Sequence, residues 1–162
     1  MTDTASHASL LTTFFAAFSK RDWAGMAACY HPDVSFRDEV FSLKGKQAKA
    51  MWHMLCEGGK DMQVVASRIS AEGQKGKAHW EATYTFSATG RKVKNVIDAE
   101  FKFKDGLIVS HWDEWSFWRW AAQALGPVGL FLGWMPRLQQ KVQKRAAGNL
   151  EKFIMAHQEY AG

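Results

Sequence analysis

Apolar residues near the start of the chain recur at helical spacing. Leu10, Phe14 and Phe18 lie four residues apart, and Leu11 and Phe15 extend the same face. This period is typical of an amphipathic helix that packs one side against a core.

Two further helices and a short strand are predicted before residue 60. Asp22 is a predicted N-cap of a short helix, which we expect to end at His31-Pro32 because proline disfavours the α conformation in the preceding residue. A brief strand over 34–36 follows. A third helix after Gly45 is predicted to end at Gly58-Gly59.

The period then changes from helical spacing to alternation. Residues 62–71, 77–88, 91–104 and 107–116 are predicted strands, and Asp105-Gly106 is typical of a two-residue hairpin turn. Helices followed by a long antiparallel meander predict the α+β class. Apolar residues on both strand faces indicate a highly curved sheet wrapped around the N-terminal helices.

A helical C-terminal extension is predicted beyond this sheet. Residues 117–125 and 137–156 have helical patterns, separated by Gly126-Pro127. We therefore predict one domain over 1–116 and an extension over 117–162 that packs on it or on a partner subunit.

Composition narrows the class of protein. The 162 residues are 47% hydrophobic and include two cysteines without a CxxC pair, which favours a globular protein in a reducing cytoplasm. No secretory signal is evident in the polar N-terminus. The net charge of +5 lies mostly beyond residue 118, without a basic stripe interleaved with aromatics, so we expect no nucleic-acid partner.

Several short patterns, in this order and spacing, resemble the nuclear transport factor 2-like superfamily, which includes ketosteroid isomerases and SnoaL-like polyketide cyclases. They are Tyr30-His31-Pro32-Asp33, Asn95-Val96-Ile97-Asp98, Gly106-Leu107-Ile108 and His111-Trp112-Asp113. The resemblance covers about residues 8–116 and implies a cone-shaped fold with a deep, mostly apolar pocket, usually in a homodimer.

The resemblance also implies roles for particular residues. Asp38 falls where the isomerases have a proton-shuttling base, and Asp98 where a protonated carboxyl stabilises the enolate. Trp115 matches a tryptophan that lines the pocket. Phe14 occupies the position of the oxyanion-hole tyrosine and cannot donate a hydrogen bond, which argues against steroid isomerisation.

Alternation in the last strand suggests a second group. His111, Asp113 and Trp115 share one face, which places an imidazole beside a carboxylate. Such a pair suits general acid–base chemistry, with the aspartate favouring the imidazolium. The alternative is a buried pair that only satisfies its own hydrogen bonds.

Each of the other candidates also has a structural alternative. Asp38 could be a solvated turn residue, and strand alternation alone places Asp98 on the outer face. The expected pocket wall could equally be core, and it comprises Phe14, Tyr30, Trp52, Trp80 and Trp115. The histidines outside the last strand lack metal-ligand spacing, so we expect no metal and no cofactor.

The extension contains an uncharged run, 120–136, that precedes Arg137, Lys141, Lys144 and Arg145. It is short and interrupted for a membrane span. It could cover the mouth of the cone, contact a second subunit, or lie at a membrane surface.

The leading hypothesis is a cofactor-independent proton-transfer enzyme of isomerase, cyclase or epoxide-hydrolase type that binds a small apolar molecule. Asp38, Asp98, His111 and Asp113 would move the protons. The alternatives are a non-catalytic ligand-binding or interaction module, and a structural domain whose pocket is filled by its own side chains.

Overall fold

The computed structural model describes residues 2–162. Two α-helices begin the chain, a third follows the first two strands, and three more follow the sixth strand. The helices are α1 (Thr2–Ser19), α2 (Trp23–Ala28), α3 (Lys46–Gly58), α4 (Phe117–Ala124), α5 (Pro127–Leu132) and α6 (Pro136–Ala156). The strands are β1 (Tyr30–Arg37), β2 (Ser42–Lys44), β3 (Gln63–Glu72), β4 (Lys75–Phe86), β5 (Arg91–Lys104) and β6 (Leu107–Glu114).

The six strands form one sheet in the order β2-β1-β6-β5-β4-β3. Strand β1 pairs in parallel with β6, and the other neighbouring strands are antiparallel. The α+β class and the four long strands are therefore confirmed. Strand β2 was not predicted. Helix α2 ends at Ala28, before the predicted stop at His31-Pro32, so β1 begins at Tyr30 and is longer than expected, with a register shift between Tyr30 and Ser35.

The predicted turns have the conformations that their sequences require. Asp105 and Gly106 have φ angles of 54° and 74°, as a tight hairpin between β5 and β6 demands. The carboxylate of Asp22 accepts a hydrogen bond from the Gly25 amide at 3.0 Å, which confirms the predicted N-cap of α2.

The main core lies between α1, α3 and the concave face of the sheet. Leu11, Phe14 and Phe18 of α1 are buried there, as the helical spacing predicts. The inward residues of β5 meet them with full alternation over Ile97, Ala99, Phe101 and Phe103.

The extension packs on the same chain. Phe117, Trp120 and Ala121 of α4 form a second apolar cluster with Val93 of β5. Helix α5 packs so closely on α4 that a Cβ at Gly129 would overlap the carbonyl oxygen of Ala121. Helix α6 packs against α3. Within residues 2–162, no helix is long and apolar enough to cross a membrane.

Candidate functional site

A chain of hydrogen bonds runs through the interior of the cone. The indole of Trp52 donates to the Tyr30 hydroxyl at 2.7 Å, and this hydroxyl lies 2.7 Å from His111 Nδ1. His111 Nε2 lies 2.8 Å from Asp113 Oδ1, and the indole of Trp80 donates to the same oxygen at 3.1 Å. The structure therefore brings together five of the residues that were proposed for the pocket wall or for catalysis, and His111 links Tyr30 to Asp113.

The indole donors fix the direction of each hydrogen bond in this series. An indole N–H can only donate, so the Tyr30 oxygen accepts from Trp52 and its own proton needs another acceptor. His111 Nδ1 supplies that acceptor, and His111 Nε2–H then donates to Asp113. This arrangement uses a neutral imidazole rather than the imidazolium that the sequence suggested, because an imidazolium would leave the Tyr30 proton without a partner.

These side chains fill the interior instead of lining an open cavity. His111 and Asp113 are each 1% exposed. Phe14 is buried and stacks on Tyr30, and Trp52 meets Trp80 edge-on at 6.4 Å between ring centroids. Among residues 2–162, every buried side-chain nitrogen and oxygen has a hydrogen-bond partner. The group is therefore a satisfied, closed network.

Asp98 lies on the opposite side of the sheet, and the inward orientation that the resemblance implied is wrong. Its side chain is 76% exposed and pairs with His79 at 2.9 Å. The physical reason is the unbroken register of β5 with β4 from Arg91 to Lys102. Without a bulge, alternation turns Ile97 and Ala99 inward and Asp98 outward.

Asp38 lies beside the closed network, on the same face of the sheet as Asp113. Phe36 of β1 pairs with His111 of β6, and both side chains point into the cone. Two residues further along these parallel strands, alternation brings Asp38 and Asp113 to the same face. Asp38 follows the last residue of β1 and is only partly buried, so its carboxyl lies between the packed interior and the surface.

Burial changes the acidity of this carboxyl. Its Oδ1 accepts hydrogen bonds from the amides of Val40 and Phe41, at 2.8 and 2.6 Å. Desolvation nevertheless raises the pKa of Asp38 from 3.8 to about 6, and the charge of Asp113 adds to the rise against the lowering effect of these amides. Asp38 is thus a carboxyl that exchanges its proton near neutral pH.

An open groove of about 610 Å³ runs beside Asp38. One wall is the loop between β1 and β2, and the other is α6, which contributes Gln139, Gln140, Gln143 and Lys144. The side-chain amides of Gln139 and Gln143 donate to the Glu39 carbonyl at 2.9 and 3.1 Å and join the two walls. The α6 wall was missed by sequence reasoning, because no local pattern shows which loop a helix will cross.

Trp115 lies near Asp38, between the two apolar clusters. It is half-buried and packs against both of them, and its side chain lowers the pKa of Asp38 against the larger effect of burial. The Trp120 indole donates to the Tyr84 hydroxyl at 2.8 Å behind it. Trp115 is therefore the predicted wall residue that remains closest to solvent.

The two cysteines have no features of a nucleophile. Both are buried. Desolvation raises the pKa of the Cys29 thiol, and it raises that of Cys56 to about 11. Neither thiol supplies a thiolate at neutral pH.

The apolar segment around α5 does not cover the groove. Phe131 and Trp134 are 70% and 72% exposed, and Val128, Leu130 and Leu132 are exposed beside them. We call these five residues the apolar patch. Because these residues are exposed, a cover for the cone is excluded. Contact with a second subunit and contact with a membrane surface remain as roles for this segment.

Comparisons with solved structures support the fold. An LEH-like epoxide hydrolase of M. tuberculosis is 18% identical, with a TM-score of 0.63 over 80% of this chain and 97% of that one. A candidate polyketide cyclase from Xanthomonas campestris is 19% identical, with a TM-score of 0.63 over 75% and 98% of the two chains.

A third solved structure is a hypothetical protein from Catenulispora acidiphila with a ketosteroid isomerase-like fold, in complex with trimethylamine. It is 13% identical, with a TM-score of 0.63 over 73% of this chain and 93% of that one. The cone-shaped nuclear transport factor 2-like fold is therefore confirmed. No curated protein sequence matches significantly.

The sequence itself matches a family description. Residues 11–111 match the SnoaL-like domain, and this range holds the cone from the first core residues of α1 to His111. The match covers more than half of the chain, and α4 to α6 lie outside it. The chain therefore belongs to the SnoaL-like domain family.

Proposed function

We propose that this protein is a proton-transfer enzyme that works at the Asp38 groove on a small carbonyl or epoxide compound. The observation that carries the proposal is a carboxyl with a pKa of about 6 beside an open groove. A general base is most effective when its pKa lies near the working pH. Asp38 combines that acidity with access to solvent.

The two groove walls suggest complementary roles. The amides of Val40 and Phe41 hold Asp38 Oδ1, and the Trp115 side chain hydrogen-bonds the same carboxyl. This orients the carboxylate to take a proton from a carbon next to a carbonyl. Lys144 and Gln140 on the α6 wall are donors for the enolate oxygen that this step creates. Return of the proton from Asp38 to another carbon would complete an isomerisation.

His111 and Asp113 would act through Asp38 and not on the substrate. Both are 1% exposed, so a ligand in the groove does not reach them. The negative charge of Asp113 disfavours ionisation of Asp38, and the network holds Asp113 in place. We therefore assign them as positioning residues.

Asp38→Asn tests the proposal with nitrobenzisoxazole, a general probe whose ring opens when a base removes its carbon-bound proton. We expect the native rate to rise with pH through about 6 and then level off, as Asp38 ionises. The variant should lose at least about 100-fold of the rate constant, within the usual contribution of a positioned base. The release of the coloured phenolate measures it.

Asp98→Asn is the matched control, since it removes an exposed aspartate from the outer face. It should retain the native rate. Equal rates in the native protein and Asp38→Asn would contradict a catalytic Asp38 and favour a groove that only binds its ligand.

A second function is favoured by the apolar patch. We propose that it docks on an anionic membrane surface, with Phe131 and Trp134 at the level of the lipid headgroups. Soluble proteins rarely leave such a patch uncovered. Arg137, Lys141 and Arg145 follow in α6 and are exposed, so negatively charged lipid would complement them.

Sedimentation with phosphatidylcholine vesicles, with and without phosphatidylserine, tests this docking. We expect binding only when phosphatidylserine is present, and a loss of about 10-fold or more in the Phe131→Ser, Trp134→Ser double variant, as expected from the apolar area removed. Val65→Ser is the control, because Val65 is 68% exposed on β3 outside the patch. A dimer that dissociates in the double variant, without vesicle binding, would assign the patch to a second copy instead.

A further inference from the structure

We propose that His53, Glu57 and His157 form a binding site for a divalent transition-metal ion, with Zn²⁺ as the test ion. One ligand atom from each side chain lies within 4.8 Å of the other two. His53 and Glu57 are one turn apart on α3, so their side chains share a face. His157 directly follows α6, and the packing of α6 on α3 brings it to them.

Both histidines already have partners of the kind that metal-binding histidines use. His157 Nδ1 donates to the Phe153 carbonyl at 2.8 Å, which leaves Nε2 with its lone pair. His53 Nδ1 lies 2.8 Å from the Tyr160 hydroxyl. Such contacts fix the ring of a ligating histidine and the nitrogen that it presents to the ion.

The third ligand faces the remaining nitrogen of His53. Glu57 Oε1 lies 3.0 Å from His53 Nε2, so the Nε2 proton now bridges the imidazole and the carboxylate. When a cation binds Nε2, the neutral imidazole carries its one proton on Nδ1 and donates it to the Tyr160 hydroxyl, so both His53 and Glu57 remain as ligands. Two imidazoles and one carboxylate suit Zn²⁺, and a water would complete a tetrahedral set.

Aromatic packing holds both imidazole rings. Trp23 stacks on His53 with ring centroids 3.6 Å apart, and Phe153 stacks on His157 at 3.9 Å. His53 is 4% exposed, so it has little freedom to turn away. The ion would therefore join α3 of the SnoaL-like domain to the end of the extension, which lies outside that domain.

Titration calorimetry of untagged, metal-free protein with zinc chloride tests the site. We expect one ion per chain, and a rise in melting temperature on addition of Zn²⁺, because an ion that binds only the folded state stabilises it. Glu57→Gln and His157→Ala should each weaken binding by at least about 100-fold. Loss of a group that only supports a ligand costs about 10- to 100-fold, and these variants remove the ligand itself. Co²⁺ should give the visible absorption of a tetrahedral site in the native protein and lose it in both variants.

His79→Ala is the control. His79 is also bonded to two carboxylates, Glu81 and Asp98, but it lies on the outer face of the sheet. We expect native zinc affinity in this variant. Circular dichroism of each variant without metal checks that the fold is intact. No binding by the native protein, or native affinity in both Glu57→Gln and His157→Ala, would overturn the proposal.

Discussion

Asp113→Ala is expected to lower the free energy of unfolding by about 4 kcal/mol. The change removes the acceptor for two buried donors, His111 Nε2–H and the indole N–H of Trp80. Each buried donor without a partner costs about 1–3 kcal/mol. The volume left by the carboxylate adds a further cost, since the surrounding aromatic rings are packed against one another.

Urea unfolding followed by tryptophan fluorescence measures this loss. Asp113→Asn is the matched variant, because its side-chain oxygen can still accept a hydrogen bond while the charge is removed. We expect it to lose less stability than Asp113→Ala. If Asp113→Ala unfolds at the native urea concentration, the network does not hold the interior as described.

Asp38→Asn is expected to increase the free energy of unfolding by about 2 kcal/mol at about pH 8. Burial raises the pKa of Asp38 from 3.8 to about 6 in the folded protein, so folding favours the protonated carboxyl. That contribution is complete below pH 3.8 and is lost as the pH rises through about 6. The difference corresponds to about 3 kcal/mol, which partial exposure to solvent reduces.

Urea unfolding of both proteins at about pH 4 and pH 8 measures the effect. The native protein should lose stability relative to Asp38→Asn between these values, because asparagine stays neutral and can still accept from the amides of Val40 and Phe41. A variant that is less stable than the native protein at the higher pH would show that the ionised carboxylate is favoured by its surroundings.

Strand alternation predicted more of the site than the family resemblance did. In β6 it placed His111 and Asp113 together on the inner face, where the structure has them. In β5 it placed Asp98 outside, and the resemblance that turned this residue inward was wrong. Alternation succeeds here because the register of β4 and β5 is continuous at Asp98, so that each residue faces opposite to the next.

Features that depend on packing between distant elements could not be predicted. Tyr30 and His111 are 81 residues apart, and the direction of their hydrogen bond depends on the Trp52 indole. The groove exists because α6 crosses the loop after β1. His53 and Glu57 did carry a local signal, their spacing of four on one helix, but the third member of that cluster comes from the end of α6.

The titration of the Asp38 carboxyl is the decisive measurement for a catalytic base at this position. Carbon-detected NMR of labelled protein follows each carboxyl with pH, and the signal missing from Asp38→Asn identifies Asp38. We expect a midpoint near pH 6, because burial penalises the charged form. A midpoint at or below 3.8 would show an ordinary turn aspartate and contradict a base poised for catalysis at neutral pH.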